Sequence, residues 1–179
     1  MEIRKQYLPA GTKRRPGIKN NGVKFIVVHD TGNPGSDRWG PATAKQNVQY
    51  YIASAGNENA SAHLFVDDRE IVECIPLDEV AYHVMYDKPT DNFIYGDDAN
   101  SAAIGIEMCY GIGIDMQKCY WNTVWLISHL CKQFGLKTCH ITAHAILDPM
   151  RKTDPENALK QAGKNWMELI LDVEMFNSK

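Results

Sequence analysis

In the segment FIVVHDTG, Phe25 to Gly32, four apolar residues run straight into His29, and this constrains the fold more than any other stretch. A β-branched, apolar run fits a buried strand, and the Asp-Thr-Gly that follows it is turn chemistry. A histidine at the end of such a strand is aimed by a rigid element, which is how metal and catalytic ligands are usually held. Taken alone, His29 also fits a hydrogen-bonded residue with a purely structural role. A second set of candidate ligands lies more than a hundred residues downstream, in HITAHAILDPMRKTDP.

A chain of 179 residues can bury one real core but not two of ordinary size. Its 44% hydrophobic and 23% charged content is that of a soluble globular protein. The net charge of -3 gives no support to a general polyanion-binding role, so no nucleic-acid partner is expected. The basic cluster Lys13 to Arg15 reads as a solvated loop. The N-terminal stretch MEIRKQYLPAGTKRRPG lacks the apolar centre of a signal peptide, and no apolar run approaches the roughly 20 residues of a membrane span. Synthesis in the cytoplasm without a membrane partner is the expectation. Cys74, Cys109, Cys119, Cys131 and Cys139 form no CxxC pair, which argues against a disulfide framework or a thiolate zinc ribbon.

Residues 1 to 22 are polar and rich in Gly and Pro, and read as an extended arm before a single domain at 23 to 179. The pattern from Pro41 to Ser54 places Ala44, Val48, Tyr51 and Ile52 on one helical face. AHLFVDDREIVECIP is a hairpin signal, two apolar runs joined by Asp67-Asp68-Arg69. Ala102 to Tyr110 reads as a buried central strand. Met116 to Phe134 is the strongest helix, with Gly135 as its stop and His129 beside its apolar stripe in a structural role. A last helix is expected over about Pro155 to Phe176. Strands interleaved with helices, one hairpin among them, predict an α/β domain with a central mixed sheet flanked by helices.

Catalytic zinc sites take three ligands from His nitrogen, Cys thiolate or carboxylate oxygen and leave a fourth position for water. Composition cannot choose among six histidines, but position helps. His29 ends a strand, His144 follows the short strand-like Ile141-Thr142, and Asp154 sits in a loop between Pro149 and Pro155. His140 is the rival ligand, four residues before His144 as in HExxH metalloproteases. Ile141 stands where that motif needs Glu, and Ile and Thr weaken a helix.

FIVVHDTG, SAHLFVDD, AYH, SAAIGIEMCY and TAH followed by RKTDP occur in the order found in the zinc N-acetylmuramoyl-L-alanine amidases. The chain resembles the amidase-2 catalytic domains of phage endolysins and bacterial autolysins, relatives of the peptidoglycan recognition proteins. The resemblance runs from about Val23 to the last helix. It implies hydrolysis of the amide between N-acetylmuramic acid and L-alanine in peptidoglycan by a zinc-activated water, with action on the bacterial cell wall and a monomeric enzyme.

Carried across, the zinc ligands fall on His29, His144 and Asp154. The third position is a cysteine in many phage enzymes and an aspartate in others; an oxygen holds zinc less selectively than a thiolate. Glu107 matches the acidic catalytic residue, and a carboxylate in so apolar a run is costly to bury without a purpose or partner. Lys152 matches a lysine that faces the site and can stabilise an oxyanion. His83 matches a histidine lining the substrate groove, although Val84-Met85 replaces a frequent Ala-Gly and a long, Asp-rich loop follows to Asn100. His63 stands near the site, open between a substrate-side and a structural role. Ala62 replaces a tyrosine that some relatives use, which shifts the acid-base burden onto Glu107. Two further readings keep the same residues: a peptidoglycan-binding module that does not cut, and a cytosolic amidase recycling anhydro-muropeptides.

Overall fold

Buried along its whole length, strand β2 (Phe25–Asp30) lies between two parallel neighbours, β5 (Ala103–Met108) and β6 (Ile141–Ala143). The computed structural model describes residues 1–86 and 88–178; Asp87 and Lys179, which fall in the expected 86–100 loop and at the domain end, lie outside the described residues. With β1 (Ile3–Lys5), β3 (Leu64–Val66) and β4 (Ile71–Glu73), the strands form one mixed sheet in the order β1-β4-β3-β5-β2-β6. The expected hairpin is the antiparallel β3–β4 pair. Asp67 organises its turn, accepting the N–H groups of Arg69 and Glu70 at 2.7 and 2.8 Å. Its other oxygen accepts Ala44 N–H at 2.8 Å and so seats helix α1 (Ala44–Ser54).

Alternation along β2 divides the core between the two faces of the sheet. Ile26 and Val28 join the larger cluster, which includes residues of α4 (Met116–Phe134), α6 (Glu156–Gln161) and α7 (Trp166–Asn177). Phe25 and Val27 join a smaller one with Ala99, Ala102, Ala103 and Leu147. That face carries α2 (Pro89–Tyr95), α3 (Ala99–Ala102) and α5 (His144–Leu147), with the Tyr95 ring stacked 4.0 Å from Phe25. The four buried cysteines and the exposed Cys139 are free thiols.

Three expectations need correction. Residues 1 to 22, expected as an extended arm before the first strand, already contain one: β1 pairs in parallel with β4, and Leu8 and Arg14 are buried. The single C-terminal helix is two, because Gly163 adopts φ 64° and Asn165 starts α7 with a capping box to Glu168. The long loop to Asn100 contains α2 and α3, begun by Pro89 and Asp98 and separated by Gly96 at φ 75°.

Arg14, expected to be solvated, is the most deeply anchored cation of the N-terminal segment. Its Nε donates to Ser54 Oγ at 3.0 Å, its other nitrogens reach Ala60 O and Glu58, and its guanidinium lies 4.0 Å from the Tyr51 ring centroid. Arg14→Ala removes the buried bond to Ser54 and opens a cavity beneath Tyr51, so the expected loss is about 3 kcal/mol of stability. A urea midpoint close to that of the unchanged protein would refute this anchoring role.

Candidate metal centre and cleft

Parallel register sets the site. His29 of β2 pairs with Glu107 of β5, one position before the carboxyl end of each strand, so both side chains leave the same face at the same edge. β6 ends at Ala143 on the other side of β2, which delivers His144 beside His29. Crevices at the carboxyl ends of parallel strands are where α/β folds bind ligands.

His29 Nδ1 lies 2.9 Å from His144 Nδ1, and Asp154 Oδ2 is 3.0 Å from each. All three residues belong to one group able to hold a metal ion. Asp154 reaches it from the loop after α5, and its carbonyl accepts Ala145 N–H at 3.0 Å, tying that loop to His144's helix. Burial holds the His29 pKa down to about 4. Burial works to raise that of Asp154, but hydrogen bonds from the two histidines outweigh it and hold the carboxyl below the usual range.

Glu107 stands beside this triangle with Oε2 enclosed and without a hydrogen-bond partner among the described residues. Burial, then the Asp154 and Asp30 carboxylates, push its pKa well above the ordinary carboxylate range, while Lys152 opposes them. Lys152 lines the same cleft and forms no ion pair among the described residues. The cleft is about 390 Å³ and is also lined by Thr31, Gly32, Ser61, Tyr82 and Asn157. A second hollow of about 300 Å³ shares Thr31, Tyr51 and Glu107 with it.

The histidines outside the triangle divide sharply. His140, the rival ligand, accepts Lys137 N–H at 3.0 Å and is not part of the cluster. His129 is stacked on Trp125 at 5.1 Å. His63 is completely buried, and both its ring nitrogens are taken by the main chain. Gly105 N–H donates to Nδ1 at 3.0 Å, and Nε2–H donates to Glu79 O at 2.9 Å. That geometry corrects the substrate-side option and leaves the structural one. His83 is at the cleft floor but only 8% exposed, with Nδ1 3.0 Å from His29 Nε2.

Two residues carry more than their sequence pattern suggested. Asp30, read only as part of a turn, accepts N–H groups of Gly32, Asn157 and Ala158 at 3.2, 3.1 and 3.4 Å. It thereby clamps the segment after Asp154 to the strand that carries His29. An acid closing the strand directly after His29 was the available signal. Tyr51, counted as core, lies on the wall shared by both hollows. No feature of its helical pattern marks it.

Two imidazoles and a carboxylate thus converge at the edge of a mixed α/β sheet, beside the half-buried Glu107, as a donor set able to hold a metal ion. The family model described as N-acetylmuramoyl-L-alanine amidase matches residues 19–157, and the chain belongs to that family. It is 32% identical over 148 residues to the N-acetylmuramoyl-L-alanine amidase CwlL of Bacillus licheniformis, covering 80% of this chain and 39% of that protein. It is 35% identical over 139 residues to the amidase BlyA of Bacillus subtilis, covering 73% and 36%. The chain thus spans well under half the length of these relatives. The catalytic domain of XlyA superposes with a TM-score of 0.78 at 26% identity, covering 97% of this chain and 99% of that one.

The burial of His63 makes stability depend on pH. Burial lowers its pKa to about 4 from an ordinary 6.5, against the pull of Glu79. Between those values the unfolded chain binds more protons, so this histidine's contribution is complete above about pH 6.5 and lost as pH falls through 4. Urea midpoints measured from pH 7 to 4 should fall, and His63→Gln should flatten part of that slope. An equal slope in the variant would count against the buried, neutral imidazole.

Proposed function

We propose that this chain hydrolyses the amide between the lactyl group of N-acetylmuramic acid and L-alanine in bacterial peptidoglycan, using zinc held by His29, His144 and Asp154. The carrying observation is the triangle of two imidazole nitrogens and one carboxylate oxygen at 2.9 to 3.0 Å, with the unpartnered Oε2 of Glu107 beside it. These donors suit zinc, a borderline cation that takes imidazole and carboxylate ligands in open three-ligand sites. When bound, the ion polarises the amide carbonyl and lowers the pKa of a water toward about 7.

The chain's own groups then divide the work. Glu107 takes a proton from the attacking water at Oε2 and returns it to the leaving nitrogen of L-alanine; burial, which raises its pKa, favours its holding that proton in between. Lys152 lines the same cleft, without an ion pair among the described residues, and donates to the oxyanion that forms on the attacked carbonyl. The two hollows meeting at Glu107 give a groove with room on either side of the scissile bond, which suits a substrate with a glycan arm and a peptide arm. Every residue invoked comes from one chain, so a monomer suffices. No helix among the described residues is long and apolar enough to cross a membrane.

Purified cell walls incubated with the protein should release free amino termini of L-alanine. Chelator treatment should abolish the release and added zinc restore it. A zinc-loaded protein that releases none would sink the amidase reading and leave a binding module; activity on soluble anhydro-muropeptides alone would mark a recycling enzyme. Glu107→Gln should keep zinc and lose activity by roughly 10²–10⁴-fold. Activity near that of the unchanged protein would show that the base is assigned wrongly.

A further inference from the structure

We infer that His83 is a positioning residue, which orients His29 for metal binding by accepting its Nε2–H, rather than a residue that contacts substrate. The inference rests on the zinc site proposed above and concerns a residue outside the ligand triangle.

The two nitrogens of the His29 ring meet different neighbours. Nδ1 points into the triangle, and a nitrogen that is to ligate a metal must offer a lone pair. The remaining proton of the neutral ring is then on Nε2, which lies 3.0 Å from His83 Nδ1. With a metal on Nδ1, His29 donates and His83 accepts, which places the His83 proton on its own Nε2. That atom is buried without a hydrogen-bond partner among the described residues. His83 cannot be a ligand of the same ion, since it meets the opposite edge of the His29 ring. With Nδ1 engaged and Nε2 enclosed, neither nitrogen is presented to a ligand in the cleft.

The surroundings hold His83 in that pose. Asn100 Oδ1 accepts the N–H groups of His83 and Val84 at 2.9 and 3.0 Å, and Asn100 Nδ2 donates to Val84 O at 3.1 Å. One residue earlier, Tyr82 N–H donates to Ser61 Oγ at 2.9 Å. The imidazole lies against Gly105, where a Cβ would sit 2.6 Å from His83 Cγ and 2.9 Å from Cδ2. His63, fixed by the main chain on both sides, packs edge-on at 5.9 Å. A side chain locked by its backbone, by a glycine beneath it and by a second anchored ring is suited to fixing another ring's orientation.

Zinc affinity, measured by competition with a chromogenic chelator, separates this role from substrate contact. Loss of a hydrogen-bond partner behind a ligating histidine typically costs roughly 10–100-fold in metal affinity, so His83→Ala should weaken zinc by that much. His83→Asn, which can place Oδ1 near the position of Nδ1, should recover most of the loss. Gly105→Ala should displace the ring and weaken zinc with His83 still present, and combining it with His83→Ala should add little. A folded His83→Ala protein that keeps zinc within about threefold of the unchanged chain but loses wall hydrolysis would overturn the inference and return His83 to the substrate. If the unchanged chain binds no zinc, the metal-site reading fails first and takes this one with it.

Discussion

Three electron-rich atoms facing one another across 3.0 Å or less are the constraint on which the rest of the site depends. A single shared proton can satisfy only part of such a triangle, and in a buried site mutual repulsion of lone pairs is weakly screened. The fold tolerates it because each donor is held from behind. His29 is locked into a six-residue strand paired on both sides. His144 follows a strand paired to the same neighbour, and Asp154 is tied back through its carbonyl to Ala145. Asp30 draws the start of α6 onto the end of β2, so the loop bearing Asp154 is fastened on both sides of the ligand. A cation placed in the triangle would convert this convergence from a cost into the main attraction of the site.

Much of this was legible in the sequence because it is local. An apolar run ending on His29, a two-acid turn between short strands and a 19-residue amphipathic stretch closed by Gly135 each announce their element within a window of a few residues. The grouping of His29, Glu107, Lys152 and His144 with Asp154 was accessible only as an ordered set of motifs, since their contacts span the length of the chain. What escaped was non-local. The composition of residues 1 to 22 resembles a linker, yet Arg14 finds Tyr51, Ser54 and Ala60 on and after a helix that begins 30 residues later. The break between α6 and α7 depends on one glycine at positive φ, which a helical periodicity overrides on paper. A sequence names the residue type at position 83 but not which of its nitrogens faces which neighbour.

The two faces of the sheet bear unequal burdens. On β5, the residues facing the site are Ala103, Gly105 and Glu107, two of them nearly without side chains. Large apolar residues there would strengthen the smaller core but fill the space that the His83 ring occupies. The opposite face carries Ile104, Ile106 and Met108 and packs into the larger cluster with α4 and α7. Stability is concentrated on the side away from the chemistry, so the site side can hold buried imidazoles and an unpaired carboxyl.

With Asp154 as the proposed third donor, that division has a further consequence. Thiolate and carboxylate carry the same charge, so the electrostatic balance with a divalent ion is the same for either; what differs is softness and reach. A hard, short carboxylate on a loop discriminates less among metals, and more of the selectivity and geometry falls to the two imidazoles. Of these, His144 has its second nitrogen buried without a partner among the described residues, whereas His29 has His83 behind it. The rigid half of the site is therefore the His29 half: strand, ring, supporting ring and the glycine that admits it. Glu107 grows from the next strand in register with His29, so the same ladder that orients that imidazole also fixes its distance from the carboxyl.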